Sequence, residues 1–185
     1  MVSNCDENRS AITLPPDKAA ASLNVCLPPS GRGQRSSGTY KNHKIKIIDD
    51  SYNASPASMT AAFQSLNNTP PDIMVLSEML ELGSATAAAH AALVPQINKL
   101  APRVVIAIGP AMHEMIGGLD QTISGYAAAD INTAIAYLKQ SIDKDDCIFI
   151  KGSNGSGAWL VRNALCAEIA PDTPLGLLKG VSNAA

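Results

Sequence analysis

The chain has 185 residues, of which 46% are hydrophobic and 16% are charged, and its formal net charge is -2. That length suits one domain with a short appendage and is enough to bury a sizeable core. The small net charge argues against a partner such as nucleic acid or an anionic membrane surface. The longest apolar runs are too short to cross a bilayer, and acids stand near the N-terminus where a signal peptide needs cations. We therefore expect a globular cytoplasmic protein.

The cysteines and histidines give no sign of a metal site. Cys5, Cys26, Cys147 and Cys166 form no Cys-x-x-Cys pair, so neither a zinc site nor a disulfide framework is predicted. Cys147 lies in an apolar run and Cys166 on a predicted helix, and both are expected to be buried reduced thiols rather than catalytic groups. The three histidines share no metal-ligand spacing.

The first forty residues differ in composition from the rest. They contain two proline pairs, at 15–16 and 28–29, and a stretch rich in Gly, Ser and Arg at residues 31–38, which is typical of a connector. Between the proline pairs, residues 17–26 predict a short helix that has no strand of its own to pack against. We interpret residues 1–40 as an appendage and linker, and residues 41–185 as the main domain.

From residue 44 onward, short segments rich in Ile and Val alternate with helical patterns. The predicted strands are residues 44–50, 73–76, 103–108, 122–125 and 147–151. The predicted helices are residues 56–66, 84–100, 110–117, 129–141 and 157–169, with Ser55, Ser84 and Gly109 as caps or turns. Strict alternation implies parallel strands joined by right-handed crossovers. The predicted fold class is α/β, with a Rossmann-like, doubly wound, mainly parallel sheet and helices on both faces.

Polar segments follow four predicted strands, at residues 49–53, 77–83, 109–113 and 151–157. The carboxyl ends of parallel strands share one edge of a sheet, and open α/β sheets bind ligands there. A capped turn leading into the helix at Pro56 would also explain part of the first segment. The last segment matches neither a Walker loop nor the dinucleotide fingerprint, although its lysine and backbone N–H groups could meet an anion.

Taken in order, these segments resemble the Mur ligases, and among them the UDP-N-acetylmuramoyl-tripeptide:D-alanyl-D-alanine ligases. Asp49-Asp50-Ser51-Tyr52-Asn53-Ala54-Ser55-Pro56 is similar to the family motif Asp-Asp-Ser-Tyr-Asn-Ala-Asn-Pro. Three further segments resemble family sequences: Gly31-Arg32-Gly33 at the end of the central domain, Met79-Leu80-Glu81-Leu82-Gly83 in a loop, and Lys151-Gly152-Ser153 late in the chain. The chain departs from the family pattern at Ser55, at Ser77-Glu78 in place of Gly-Asp, and at Asn154 in place of arginine.

The resemblance implies the C-terminal domain of an ATP-dependent, ADP-forming amide-bond ligase, with residues 1–40 as a remnant of the central ATPase domain and linker. In these enzymes ATP phosphorylates the terminal carboxylate of UDP-N-acetylmuramoyl-tripeptide, and the amine of D-alanyl-D-alanine attacks the acyl phosphate. By the motif match Arg32, Asp50 and Asn53 would contact ATP, which acts with Mg²⁺ in the complete enzyme. Tyr52, Lys151 and Ser153 would contact the incoming dipeptide. None of these residues is an obvious nucleophile, so the domain is expected to orient substrates together with the missing N-terminal and central domains.

The chain contains no Gly-x-x-x-x-Gly-Lys-[Ser/Thr], so we expect it to be inactive without the domain that carries this phosphate-binding loop. Two other hypotheses remain. A stand-alone nucleotide-binding module of Rossmann type would need Gly-x-Gly-x-x-Gly after the first strand, where the double aspartate stands instead. A non-catalytic remnant that binds a partner protein would fold but show no affinity for nucleotide or dipeptide.

Overall fold

A computed structural model describes residues 29–172, and seven strands in this part of the chain form one sheet. The strands are β1 (Gln34–Tyr40), β2 (His43–Asp50), β3 (Ile73–Ser77), β4 (Val104–Ile108), β5 (Ser124–Ala128), β6 (Cys147–Lys151) and β7 (Ala170–Pro171). Their order across the sheet is β5-β4-β3-β6-β2-β1-β7. The strands from β5 to β2 pair in parallel, whereas β1 is antiparallel to both of its neighbours.

The helices of residues 29–172 lie between these strands: α1 (Pro56–Leu66), α2 (Thr86–Ala91), α3 (Val94–Leu100), α4 (Pro110–Met115), α5 (Ile131–Ser141) and α6 (Ala158–Cys166). Local chemistry explains where they begin. The hydroxyl of Ser55 accepts a hydrogen bond from the Ser58 amide, and the Ser58 hydroxyl accepts one from the Ser55 amide, so α1 starts with a capping box followed by Pro56. The Asp130 carboxylate caps α5 by accepting a hydrogen bond from the Thr133 amide.

Helices cover both faces of the sheet, as the sequence predicts. Every residue of β3, β4 and β6 is buried, which is typical of parallel strands enclosed on two sides. Successive side chains of a strand point to opposite faces. Met74 and Leu76 pack with α1, α3 and α4, whereas Ile73 and Val75 pack with α5 and α6. The doubly wound α/β fold class is therefore confirmed.

The interpretation of residues 31–38 as a connector is wrong. Gln34–Tyr40 forms β1, which pairs with β2 from Gln34 opposite Asp49 to Tyr40 opposite His43. The two residues of the hairpin turn, Lys41 and Asn42, both have positive φ angles, which allows a tight reversal between the strands. The assignment of residues 1–40 to another domain stays a prediction, and the helix predicted at 17–26 lies outside the described residues.

Other predicted boundaries also move. The predicted helix 84–100 is divided into α2 and α3, because Pro95 in the first turn of α3 has no N–H to donate to the turn before it. The predicted strand 122–125 forms later, as Ser124–Ala128, and α5 begins after its cap rather than at residue 129. β7 was not predicted. No helix in residues 29–172 is long and apolar enough to span a membrane.

Tyr40 offers a test of the core beneath β1. Its side chain is buried, and its hydroxyl has no hydrogen-bond partner within residues 29–172. A buried polar group without a partner carries a desolvation cost. We expect Tyr40→Phe to raise the free energy of unfolding by up to about 1 kcal/mol in urea denaturation. A clear loss of stability would contradict the structure, because it would show that the hydroxyl makes a hydrogen bond.

Candidate functional site

The four polar segments predicted to converge do meet at the carboxyl edge of the parallel strands. The amide of Ser153 donates to the carbonyl of Glu78 (3.3 Å), and the amide of Leu80 donates to the Ser153 hydroxyl (3.1 Å). The amide of Ala111 donates to the Glu78 carboxylate (2.7 Å), which joins the start of α4 to the same group. The Lys151 ammonium donates to the carbonyl of Asn53, so residues following β2, β3, β4 and β6 form one continuous edge.

Lys151 and Asp50 form an ion pair at the centre of this edge. The register of β2 and β6 places the two residues opposite each other. The Lys151 ammonium donates to Asp50 Oδ2 (2.6 Å) and to the carbonyl of Asn53 (2.9 Å), and the lysine is only 1% exposed. A buried ammonium requires such partners because its desolvation is costly. The Asp50 side chain is 22% exposed and so remains open to solvent on one side.

Arg32, near the start of the described residues, and Tyr52, just after β2, lie together on the surface. The guanidinium carbon of Arg32 is 4.2 Å from the centroid of the Tyr52 ring, a cation–π contact. The Tyr52 amide donates to the carbonyl of Gly31 (3.0 Å). Gly31 has a φ of +76°, and a Cβ atom there would lie 2.9 Å from Tyr52 Cβ, so only glycine permits this close approach. Tyr52 is 49% exposed and Asn53 is also exposed.

The two adjacent aspartates have different environments. Asp49 is buried, and its carboxylate accepts hydrogen bonds from the Gly31 amide (3.0 Å) and from the amide (3.2 Å) and hydroxyl (2.6 Å) of Ser51. Arg162 Nε lies 3.2 Å from the same carboxylate. Asp50 points instead toward the site edge and Lys151. The alternation of side chains along β2 accounts for this difference.

Ser153 is buried and holds neighbouring loops together. Besides accepting the Leu80 amide, its hydroxyl lies 3.4 Å from the Ala54 carbonyl. Ser77, noted above only as a departure from the family pattern, and Ser156, which the sequence did not single out, support it. Ser77 and Ser156 hydroxyls are 2.6 Å apart, and the Ser156 hydroxyl also donates to the Ser153 carbonyl (2.6 Å). Serine and glycine are common in loops, so the sequence carries no signal for this cluster.

His90 fixes the segment after β3. Its Nε2 accepts a hydrogen bond from the Met79 amide (3.0 Å), and its Nδ1 lies 2.7 Å from the carbonyl of Thr86. The amide can only donate and the carbonyl can only accept, so the proton of the neutral ring is assigned to Nδ1. The histidine is buried and is a structural support for the loop that contains Leu80.

The cysteines of the described part take no role at this edge. Cys147 and Cys166 are free thiols; Cys147 is buried, as predicted, whereas Cys166 is only half-buried. Burial raises the pKa of the Cys147 thiol above its ordinary value, with the charge of Asp72 adding to the effect. Burial likewise raises the pKa of Cys166. Both groups are therefore protonated thiols near neutral pH, which makes them poor nucleophiles.

Comparison with known proteins identifies the class to which this fold and edge belong. The sequence model of the family described as "Mur ligase, glutamate ligase domain" matches residues 31–154. The chain belongs to this family, and it is a Mur ligase C-terminal domain with the Rossmann-like fold described above.

Two relatives carry the name of one enzyme. The chain is 32% identical over 180 residues to UDP-N-acetylmuramoyl-tripeptide–D-alanyl-D-alanine ligase of Mycobacterium tuberculosis. The alignment covers 82% of this chain and 34% of that relative. It is 33% identical over 112 residues to the ligase of the same name from Rickettsia prowazekii, and this alignment covers 60% of this chain and 25% of that relative. The chain therefore spans about a third or less of the length of these relatives.

Solved structures support the fold. The crystal structure of MurF ligase from Thermotoga maritima in complex with ADP superposes with a TM-score of 0.64 and 22% identity, over 80% of this chain and 33% of that chain. MurF from Acinetobacter baumannii gives a TM-score of 0.65 and 22% identity, over 83% and 34% of the two chains.

Proposed function

We propose that the chain is the C-terminal domain of a UDP-N-acetylmuramoyl-tripeptide:D-alanyl-D-alanine ligase and that its loop edge positions the nucleotide. In this reaction the tripeptide carboxylate takes the γ-phosphoryl group of ATP and releases ADP. The amine of D-alanyl-D-alanine then attacks the acyl phosphate, phosphate leaves, and the amine loses a proton. The observation that carries the proposal is the exposed pair of Arg32 and Tyr52, together with the partly exposed carboxylate of Asp50, two residues before Tyr52 in the sequence.

The exposed groups suit a nucleotide. The guanidinium of Arg32 donates hydrogen bonds toward phosphate oxygens, and a carboxylate such as Asp50 accepts hydrogen bonds from ribose hydroxyls. Asn53 supplies both a donor and an acceptor at the same loop. The Thermotoga maritima MurF ligase was solved in complex with ADP, which supports a nucleotide as a ligand of the complete enzyme.

The roles proposed for Tyr52, Lys151 and Ser153 differ from those implied by the motif. Tyr52 stacks on Arg32, so we assign it to the nucleotide side of the site rather than to the dipeptide. Lys151 and Ser153 are buried and bonded to protein groups, which favours a role in holding the loops over a direct contact with the dipeptide carboxylate. The dipeptide would then bind against surfaces that these two residues shape.

The described residues suit ATP but do not form a metal site by themselves. The cation, carboxylate and amide at the edge suit ATP, which would supply the phosphoryl group that activates the peptide carboxylate. Within residues 29–172, however, no three His, Cys, Asp or Glu side chains gather in a way that could hold a metal ion. Mg²⁺ bound to a nucleotide is usually held by one or two carboxylates together with phosphate oxygens, so in the complete enzyme the ATP phosphates and the upstream domains would supply most of its ligands. The proposal further includes a cytoplasmic location and upstream domains that bring the phosphate-binding loop.

The test is the effect of Arg32→Ala on ATP binding by this chain, followed through amide chemical shifts in NMR titrations. We expect ATP to perturb residues 31–32 and 50–53, and the variant to weaken binding roughly tenfold, because a charge-assisted hydrogen bond contributes about 1.5 to 3 kcal/mol. Arg35→Ala is the matched control, since Arg35 is also exposed and its loss changes the net charge equally. Equal effects of the two variants, or no response to millimolar ATP, would contradict the proposed site.

A further inference from the structure

We infer that Asp49 is a positioning residue that sets the arrangement of Arg32 and Tyr52, and that it does so without touching the nucleotide. The inference deepens the proposed function and rests on it for its meaning in the reaction. Asp49 is 3% exposed, so its carboxylate is closed to a ligand at the edge. Every contact described for it is made with the protein.

The contacts of Asp49 lie directly behind both members of the exposed pair. One carboxylate oxygen, Oδ2, accepts from the amide of Gly31, the residue before Arg32. The other oxygen, Oδ1, accepts from the amide of Ser51, the residue before Tyr52. Gly31 and Tyr52 are joined in turn by the amide-to-carbonyl hydrogen bond between them. A single buried side chain thus fixes the backbone on each side of the cation–π contact.

Arg162 explains how a carboxylate can be held in this position. Its Nε lies 3.2 Å from Asp49 Oδ2, and its Nη2 lies 3.4 Å from the Gln34 side-chain oxygen. Because a buried charge is stable only when it is paired and hydrogen-bonded, the guanidinium from α6 compensates the carboxylate. The network therefore ties together the turn at Gly31, the end of β2 and helix α6. Charge-assisted hydrogen bonds of this type are stronger and more directional than neutral ones.

Asp49→Asn separates this positioning role from bulk packing. The two side chains have nearly the same volume, but the amide has one acceptor oxygen and one NH2 donor. The Gly31 amide, the Ser51 amide and Arg162 can only donate, so the NH2 group must face either the Gly31 amide and Arg162 or the Ser51 amide. One side of the network is therefore lost in either orientation of the amide.

The first experiment reads the position of Arg32 in this chain by NMR. The Tyr52 ring should move the chemical shifts of the Arg32 side-chain protons upfield. The Tyr52→Leu variant gives the chemical shifts of these protons without the ring. We expect Asp49→Asn to remove at least half of that shift while the methyl signals of Val75 and Ile106 in the central strands stay unchanged. An unchanged Arg32 shift in a folded Asp49→Asn chain would overturn the inference.

A second measurement needs no variant and decides the matter if Asp49→Asn does not fold. The amides of Gly31 and Ser51 both donate to Asp49, so in the unaltered chain each should exchange with solvent at least tenfold more slowly than in an unstructured peptide. Exchange of the Gly31 amide at the unstructured rate would overturn the inference, because the carboxylate would then not be holding the turn.

ATP affinity is a third measurement, and it separates this inference from the proposed function. We expect Asp49→Asn to weaken ATP binding several-fold, and the double variant with Arg32→Ala to bind no more weakly than Arg32→Ala alone. Fully additive effects would overturn the claim that Asp49 acts through Arg32. If Arg32→Ala leaves ATP affinity unchanged, the proposed nucleotide site is wrong, whereas the chemical shift and exchange measurements still decide the positioning role.

Discussion

Replacing Lys151 with methionine is expected to lower the free energy of unfolding by about 3 kcal/mol, the lower end of what breaking a buried ion pair costs. Methionine keeps the apolar stem but leaves Asp50 and the Asn53 carbonyl without the ammonium that binds both. The partial exposure of Asp50 to solvent keeps the effect from being larger. Urea denaturation followed by circular dichroism measures the change.

Lys139→Met is the control for this result. Lys139 also pairs with a carboxylate, that of Glu168, but the two side chains are 26% and 45% exposed. Pairs of that kind contribute at most about 1 kcal/mol, so the control should change stability little. Combining Lys151→Met with Asp50→Asn removes both charges and should cost less than the two single changes together. Equal losses for Lys151→Met and Lys139→Met would show that the Lys151 pair is not buried in solution.

The central sheet could be predicted because its signal is local. β3, β4 and β6 are short runs of Ile, Val and other apolar residues, and such runs indicate strands buried on both faces. β1 has no such run. Three consecutive residues of β1 are exposed. Its inward side includes Gly38, where a Cβ atom would lie 2.2 Å from Ile169 Cγ2. Glycine is needed there because the chain near β7 packs against it, which is a long-range contact that local pattern cannot reveal.

The site could be predicted only as a location. Polar segments after parallel strands indicated the correct edge, but they did not show which side chains face solvent. Asp49 and Asp50 are adjacent in sequence but differ in burial, because β2 alternates its side chains between two faces. Lys151 meets Asp50 through the pairing of β2 with β6, which are about a hundred residues apart. The order of strands in the sheet is needed before either contact can be inferred.

Gly152→Ala is expected to cost about 3 kcal/mol of stability, the upper end of the usual range for overpacking a core. A Cβ atom at position 152 would lie 1.6 Å from Ser77 Oγ, 2.9 Å from Ser77 Cβ and 3.0 Å from Ala158 Cβ. Ser77 is fully buried, and its hydroxyl is bonded to Ser156, so it has little room to move away. Thermal or urea unfolding of the variant gives the loss directly.

Gly155→Ala is the matched control in the same loop. A Cβ atom there would approach only Leu80 Cδ1, at 3.0 Å, which is the end of a flexible and exposed side chain. The backbone at Gly155 also has an ordinary φ angle, so this change should alter stability by less than about 1 kcal/mol. Ser77→Ala removes the oxygen nearest to the new methyl group, so adding it to Gly152→Ala should restore part of the loss. If the double variant is instead less stable than Gly152→Ala alone, the contact with Ser77 is not the source of the strain, and the loop that presents Lys151 and Ser153 has room that the structure does not show.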